Sequence, residues 1–243
     1  GGWGMGFNKL SYIDGTFCVG NKAATEAEVR DFVTTNRNYL YTEFFHPAEE
    51  WAKINPVIHT LRILMLNEDG VNPTTVASYF RFAVSDDSGV TKNDDSKSNF
   101  NLPREPGLRL FNVPFDPKTG TYGVSTGKPS ILLSYNAGRM DTDIHPDSGT
   151  YVDGKIEEWS QLEEMLKQMA IRLAPVEWLG YDLCMTDKGP KLMEINSHSG
   201  CTYLQMFTPY RKHEVLALYF EKKLAAIDAL DEAGIRARNG IPR

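Results

Sequence analysis

Asp182, Glu194 and Asn196 are spaced to bring three oxygen donors to one point. Asp182 lies in Gly180-Tyr181-Asp182-Leu183-Cys184-Met185, and beyond the Lys188-Gly189 turn comes Leu192-Met193-Glu194-Ile195-Asn196. Successive residues of a strand point to opposite faces, so Glu194 and Asn196 share a face and Ile195 is expected to be buried between them. A hairpin folded about the turn carries Asp182 across from both. Two carboxylates and a carboxamide form a hard oxygen site. Mg²⁺ suits it, because it takes one or two carboxylates plus nucleotide phosphates and keeps several waters. The plain alternative is the solvent-facing side of an ordinary hairpin.

Other chemistries have less support. The five histidines and three cysteines show no zinc-ligand spacing. A serine triad is not expected, and no Gly-x-x-x-x-Gly-Lys-Ser/Thr loop is present. Cys18, Cys184 and Cys201 contain no CxxC pair and read as small hydrophobes of a reducing cytoplasm. A net charge of −6 with interspersed signs argues against a nucleic-acid scaffold. No apolar run approaches the roughly 20 residues needed to span a bilayer.

The elements that must position these residues follow from pattern. With 243 residues, 41% of them hydrophobic, the chain can bury a substantial core. It starts Gly1-Gly2-Trp3-Gly4-Met5-Gly6, inside a glycine-rich loop and without an initiator Met, so a longer parent protein is expected. Asp14-Gly15 between apolar runs signals a hairpin of residues 7–12 and 16–20. Thr25 and Glu28 form a capping box that starts a helix whose apolar face is Val29, Phe32 and Val33. Residues 39–45 read as a strand and 49–54 as a short helix. Strands over 61–66 and 76–84, joined through Asp69-Gly70, suggest an antiparallel pair. The polar stretch 85–107 is long for a structureless loop and reads as functional or disordered. Trp159, Leu162, Met165, Leu166, Met169 and Leu173 predict a helix over 157–173 that Pro175 stops. A final helix is expected over 211–233, with Val215, Leu216, Tyr219, Phe220 and Leu224 inward. The order gives an α+β fold with mostly antiparallel sheets and flanking helices.

An Asp on one strand and Glu-x-Asn on the next resembles the metal signature of ATP-grasp enzymes. Ile144-His145-Pro146-Asp147-Ser148-Gly149, followed by Gly154 and Trp159, is similar to the His-Pro-Asp-Thr-Gly segment of the sugar-transfer-associated ATP-grasp family. Glu43-Phe44-Phe45-His46-Pro47, then Ile54-Asn55-Pro56 and Thr60-Leu61-Arg62, resemble that family's adenine-side hinge and first catalytic strand. The family's Asp-Asn and Gly-Gly segment has no counterpart here. The region reads Lys92-Asn93-Asp94-Asp95 and later Pro103-Arg104-Glu105-Pro106-Gly107.

The resemblance implies a nucleotide cleft between two subdomains, residues 1–56 and 57–243, with ATP and Mg²⁺ bound and Mn²⁺ as a substitute. Under it, Glu43 accepts from the adenine amino group and the backbones of Phe44 and Phe45 line the adenine edge. Glu50, or Glu49 in the other register, binds the ribose hydroxyls. Gly2, Gly4 and Gly6 form the loop over the phosphates, and Lys9 adds charge nearby. Arg62 and Arg81 face the transferred phosphoryl group, where they stabilise developing charge. His145 and His198 are candidate contacts to the acceptor. The implied activity is a carboxylate–amine or carboxylate–thiol ligase acting through an acylphosphate, with a tie to cell-surface glycan modification. Its partners would be a small carboxylate and a nucleophile, with a homodimer as an option and no nucleic acid. The alternatives are a kinase-like phosphotransferase and a non-catalytic nucleotide-binding domain.

Overall fold

Antiparallel pairing accounts for the sheets of the computed structural model, which describes residues 9–20, 22–85, 107 and 109–240. A small sheet holds β1 (Leu10–Ile13), β2 (Thr16–Val19) and β3 (Lys22–Ala24). Asp14 and Gly15 both take positive φ, 49° and 80°, the two-residue turn whose twist matches the strands. Helix α1 (Glu26–Thr35) follows, with the expected capping box at Thr25 and Glu28. It has no buried residue, and Val33 of its predicted apolar face is exposed.

Among the described residues the large sheet has nine strands. β4 (Thr60–Leu66) pairs with β5 (Thr74–Phe82), and β11 (Trp178–Thr186) pairs with both β4 and β12 (Gly189–Asn196). On the other side of β5 lies β6 (Arg109–Asp116), then β7 (Thr121–Gly123) and β10 (Asp153–Lys155). β8 (Ile131–Ser134) pairs β6 and carries β9 (Gly138–Asp141) on its far edge.

Strand alternation divides the side chains between two faces. Leu61, Ile63 and Met65 of β4, Phe80 and Phe82 of β5, and Leu179, Tyr181 and Leu183 of β11 form one core. That core is closed by α3 (Trp159–Arg172), which buries Trp159, Leu162, Leu166 and Ala170 at helical spacing. Met165, expected on this face, is 62% exposed, because it lies to the side of the stripe of Leu162, Leu166 and Ala170. On the opposite face Leu64, Leu66, Ala77 and Tyr79 pack beneath Tyr203, Leu204, Phe207 and Tyr210. The second face is apolar only in part. At Thr60, Arg62, Arg81, Asn112, Asp182 and Glu194 it is polar.

Four further expectations are corrected. Residues 39–45 form no strand; instead Pro47 bridges Thr186, the Ala48 N–H bonds the Met185 carbonyl at 3.1 Å, and the Asp187 N–H bonds the His46 carbonyl at 3.0 Å. The chain then enters α2 (Glu49–Ala52), whose Trp51 is buried and donates Nε1–H to the Tyr122 hydroxyl at 2.9 Å. The last helix is two, α4 (Glu214–Asp228) and α5 (Glu232–Arg238), since the Asp231 side chain caps a new start by accepting from Gly234 N–H. Leu216 is the one buried residue of α4, while Val215 and Leu224 face outward. Ile195 is 39% exposed, because β12 is an edge strand beyond the reach of the core.

Candidate functional site

The register sets four polar side chains in a row across four strands: Glu194 opposite Asp182, Asp182 opposite Arg62, and Arg62 opposite Tyr79. Asp182 is buried, and Arg62 holds both of its oxygens, Nε to Oδ1 at 2.5 Å and a terminal nitrogen to Oδ2 at 2.8 Å. Asn196 adds Nδ2–H to Oδ2 at 3.3 Å. Burial raises the Asp182 carboxyl above its ordinary value, against the pull of Arg62, Arg81 and Asn196. Burial also works against the charge of Arg62, but Asp182, Tyr79 and Glu194 outweigh it and lift that group.

The structure thus brings together the three predicted oxygen-bearing residues. Among the described residues no group of three or more His, Cys, Asp or Glu forms a metal cluster. Two carboxylates plus an amide fit Mg²⁺, whose remaining positions go to phosphate and water. In the structure Arg62 stands where a divalent ion would take the Asp182 oxygens.

Ser199 is a site residue that the sequence reading missed. Its hydroxyl accepts from Arg62 at 3.1 Å, and it lies directly over Gly180, where a Cβ would meet the hydroxyl oxygen at 2.4 Å. Gly180, in the same segment as Asp182, was the available signal: a glycine inside a strand marks close approach of another chain segment. Asn112 and Tyr203 were also missed. Arg81 donates Nε–H to Asn112 Oδ1 at 3.0 Å and lies 4.4 Å from the Tyr203 ring centroid. Another of its nitrogens reaches the Tyr79 hydroxyl at 3.2 Å. Arg81 is therefore buried among aromatic rings, and it joins the row through the Tyr79 hydroxyl and acts on Asp182 through its charge.

The hinge residues gather at the end of the β11–β12 hairpin. Glu43 pairs with Lys188, Lys9 lies 4.1 Å from the Phe44 ring centroid, and Lys191 lies 5.7 Å from that of Phe45. Phe44 is 45% exposed, an apolar surface flanked by cations. Glu50 is exposed and its carboxyl is raised, first by partial burial and then by Glu158, with Lys53 opposing. Glu49 is paired to Lys53 at 3.0 Å. Gly2, Gly4 and Gly6 lie outside the described residues, as do residues 86–106.

His145 is corrected. It is fully buried, its Nε2 bonds the Ala83 carbonyl at 2.8 Å, and Nδ1 accepts from the Asp147 N–H at 3.3 Å. Asp147 in turn accepts from Ser85 N–H at 2.6 Å. The His-Pro-Asp-Ser-Gly segment thus latches a loop to the end of β5, and its histidine presents no surface to an acceptor. His198 is exposed two residues beyond Asn196, with Nδ1 at 2.9 Å from the Ser197 hydroxyl. Gly123-Val124-Ser125-Thr126-Gly127 has the spacing of a nucleophile elbow, but the Ser125 hydroxyl donates to Asp153 at 2.8 Å. It sits on a 3-10 turn.

Residues 116–212 match the sugar-transfer associated ATP-grasp family. That segment contains Asp182, Glu194, Asn196 and His198, whereas Glu43, Arg62 and Arg81 lie before it. No curated protein and no solved structure matches the chain. Among the described residues no helix is long and apolar enough to cross a membrane.

Proposed function

We propose, from the ATP-grasp family match, that the chain serves an ATP- and Mg²⁺-dependent carboxylate–amine or carboxylate–thiol ligase. The observation that carries this reading is the row Glu194–Asp182–Arg62–Tyr79 on one sheet face, beside a hinge of Lys9, Glu43, Phe44 and Lys188. The link to cell-surface glycans rests on the family's description, and two subdomains divided near residue 56 remain part of the proposal.

ATP lies with its adenine at the hinge, where Glu43 accepts from the amino group and Phe44 offers an apolar face. Binding draws Glu43 away from Lys188. Asp182, Glu194 and Asn196 would hold the divalent ion, which would supply positive charge to the phosphates. Arg62, released from Asp182 and steadied by Ser199, turns its guanidinium to the γ-phosphoryl group. Arg81 adds positive potential from beneath the row.

A substrate carboxylate oxygen attacks the γ-phosphorus, the bond to the bridging oxygen breaks, and ADP leaves with that electron pair. An amine or thiol then attacks the carbonyl carbon of the acylphosphate. The carbon–oxygen bond breaks, phosphate leaves, and the nucleophile gives up its proton. The protein's part is positioning and electrostatics, which suits a site without an obvious acid–base pair.

The test is an ADP-release screen of pooled carboxylates with Mg²⁺–ATP and hydroxylamine. The expected result is carboxylate-dependent ADP release with a trapped hydroxamate. ADP release with a stable phosphorylated product and no hydroxamate would make the protein a phosphotransferase and refute the ligase reading.

A further inference from the structure

A cleft of about 720 Å³ opens between the start of β5 and the end of β6. It exists because β5 and β6 pair only between Tyr79 and Phe82 on one strand and Phe111 and Pro114 on the other. Beyond Pro114, which has no N–H to extend the ladder, β6 leaves β5 to pair with β7. Buried Phe115 and Phe207 form part of the wall, and exposed Lys118, Lys128 and Lys212 ring the mouth.

The charges in this cleft do not cancel. Glu163 is taken by Lys167 at 3.0 Å. Asp116 is spent on its own turn, accepting from the Lys118 N–H at 2.9 Å and the Thr119 hydroxyl at 3.0 Å. Asp116 keeps its negative charge, so the four lysines of the lining exceed its two carboxylates by two, in a chain whose net charge is −6. Lys128 is anchored at the rim by donating to the Phe207 carbonyl at 2.6 Å, which leaves it two further N–H groups.

His213 supplies a donor of fixed sense. It caps α4, with Nδ1 accepting from the Leu216 N–H at 3.4 Å, so in the neutral ring the proton sits on Nε2. Burial, Lys118 and Lys128 hold its pKa below the ordinary value, with Glu214 opposing, which favours the neutral ring. Thr208 adds a half-buried hydroxyl to the lining. Lysines act as point charges, whereas a planar carboxylate is matched by the fork of an arginine, and the cleft lining contains no arginine. Point charges, a hydroxyl and an imidazole N–H suit a tetrahedral phosphoryl group.

We propose that this cleft binds a phosphorylated small molecule at a second site, which shares no residue with the polar row. Lys118, Lys128 and Lys212 hold the phosphoryl charge, and His213 Nε2–H and the Thr208 hydroxyl donate to its oxygens.

The test titrates inorganic pyrophosphate into the chain without nucleotide or divalent ion. The His213 ring proton is followed by NMR and identified with His213→Gln. The expected result is a saturable shift of that signal. Lys118→Gln/Lys212→Gln, shown by its melting temperature to be folded, should weaken binding about tenfold or more. Arg62→Gln and Glu194→Gln, each likewise shown by its melting temperature to be folded, should leave it unchanged. The proposal is overturned if no His213 shift occurs or if binding survives loss of the two lysines. It is equally overturned if binding is lost in the Arg62 variant, or if citrate binds as tightly as pyrophosphate. Each of these outcomes is independent of whether the chain turns over ATP.

Discussion

Replacing Arg62 with Met removes the guanidinium that holds both oxygens of Asp182 while keeping an unbranched side chain in its place. The pair is buried, with side-chain exposures of 11% and 3%, and stripping one partner from such a pair costs about 3–5 kcal/mol. Asp182, already raised by burial, loses the largest influence that opposes the rise. In the variant its folded pKa lies further above the unfolded value, so the folded state binds the extra proton. A raised folded pKa contributes stability that is present below the unfolded pKa and is lost as pH rises through the folded one. The deficit of Arg62→Met against the parent is therefore largest at neutral pH and shrinks as pH falls towards about 4. The same substitution frees two oxygens for a divalent ion. Mn²⁺ should bind at least about tenfold more tightly without nucleotide, or about 1.4 kcal/mol, and restore part of the lost stability by mass action. Urea melts at pH 7.5 and pH 4.5, with and without Mn²⁺, read both effects. A loss under about 1 kcal/mol at neutral pH, or an unchanged Mn²⁺ affinity, would refute the reasoning.

Glu194→Gln should alter stability by less than about 0.5 kcal/mol, because Glu194 is exposed, yet cut ATP turnover at least about tenfold; unchanged ADP release removes it from the metal set. Leu166→Ala should cost about 2–5 kcal/mol in a urea melt and Met165→Ala under about 0.5, which checks the face of α3 that is buried. Gly180→Ala drives a Cβ into Ser199 and should cost about 1–3 kcal/mol. Adding Ser199→Gly should recover most of that loss, and no recovery would show that the contact is not the cause. His59 is buried, with its pKa held down to about 4 by burial first, with Trp51 opposing. Its neutral form stabilises the fold fully above the unfolded value of 6.5, and that stability is lost as pH falls to about 4, a change on the order of 3 kcal/mol. In melts across that range, His59→Gln should lose less than the parent.

The β11–β12 hairpin was legible in the sequence because its chemistry is local. A two-residue period puts Glu194 and Asn196 on one face, but counting from the Thr186–Gly189 turn would set Asp182 opposite Met193, and only the register shift between Asp182 and Leu183 brings it opposite Glu194. The capping box at Thr25 and the buried row of α3 were readable for the same local reason. The strand expected over 39–45 failed because pairing needs a free edge at the right distance, and only Pro47 and Ala48 reach the end of β11. The break before Asp231 was missed because an acidic N-cap inside an apolar pattern looks like one more helical residue.

His145 shows the limit most clearly. In the sequence it is a histidine in a polar motif, and whether it meets a substrate or a carbonyl depends on Ala83, 62 residues away. Within one strand the sequence determined which residues share a face, since strand geometry repeats every two residues, but the register shift in the β11–β12 hairpin decided that Asp182 joins Glu194 and Asn196. Only the tertiary structure decided their partners. Strand order put Arg62 of β4 beside Asp182 of β11, and the divergence of β6 from β5 gathered lysines from three segments around one cleft.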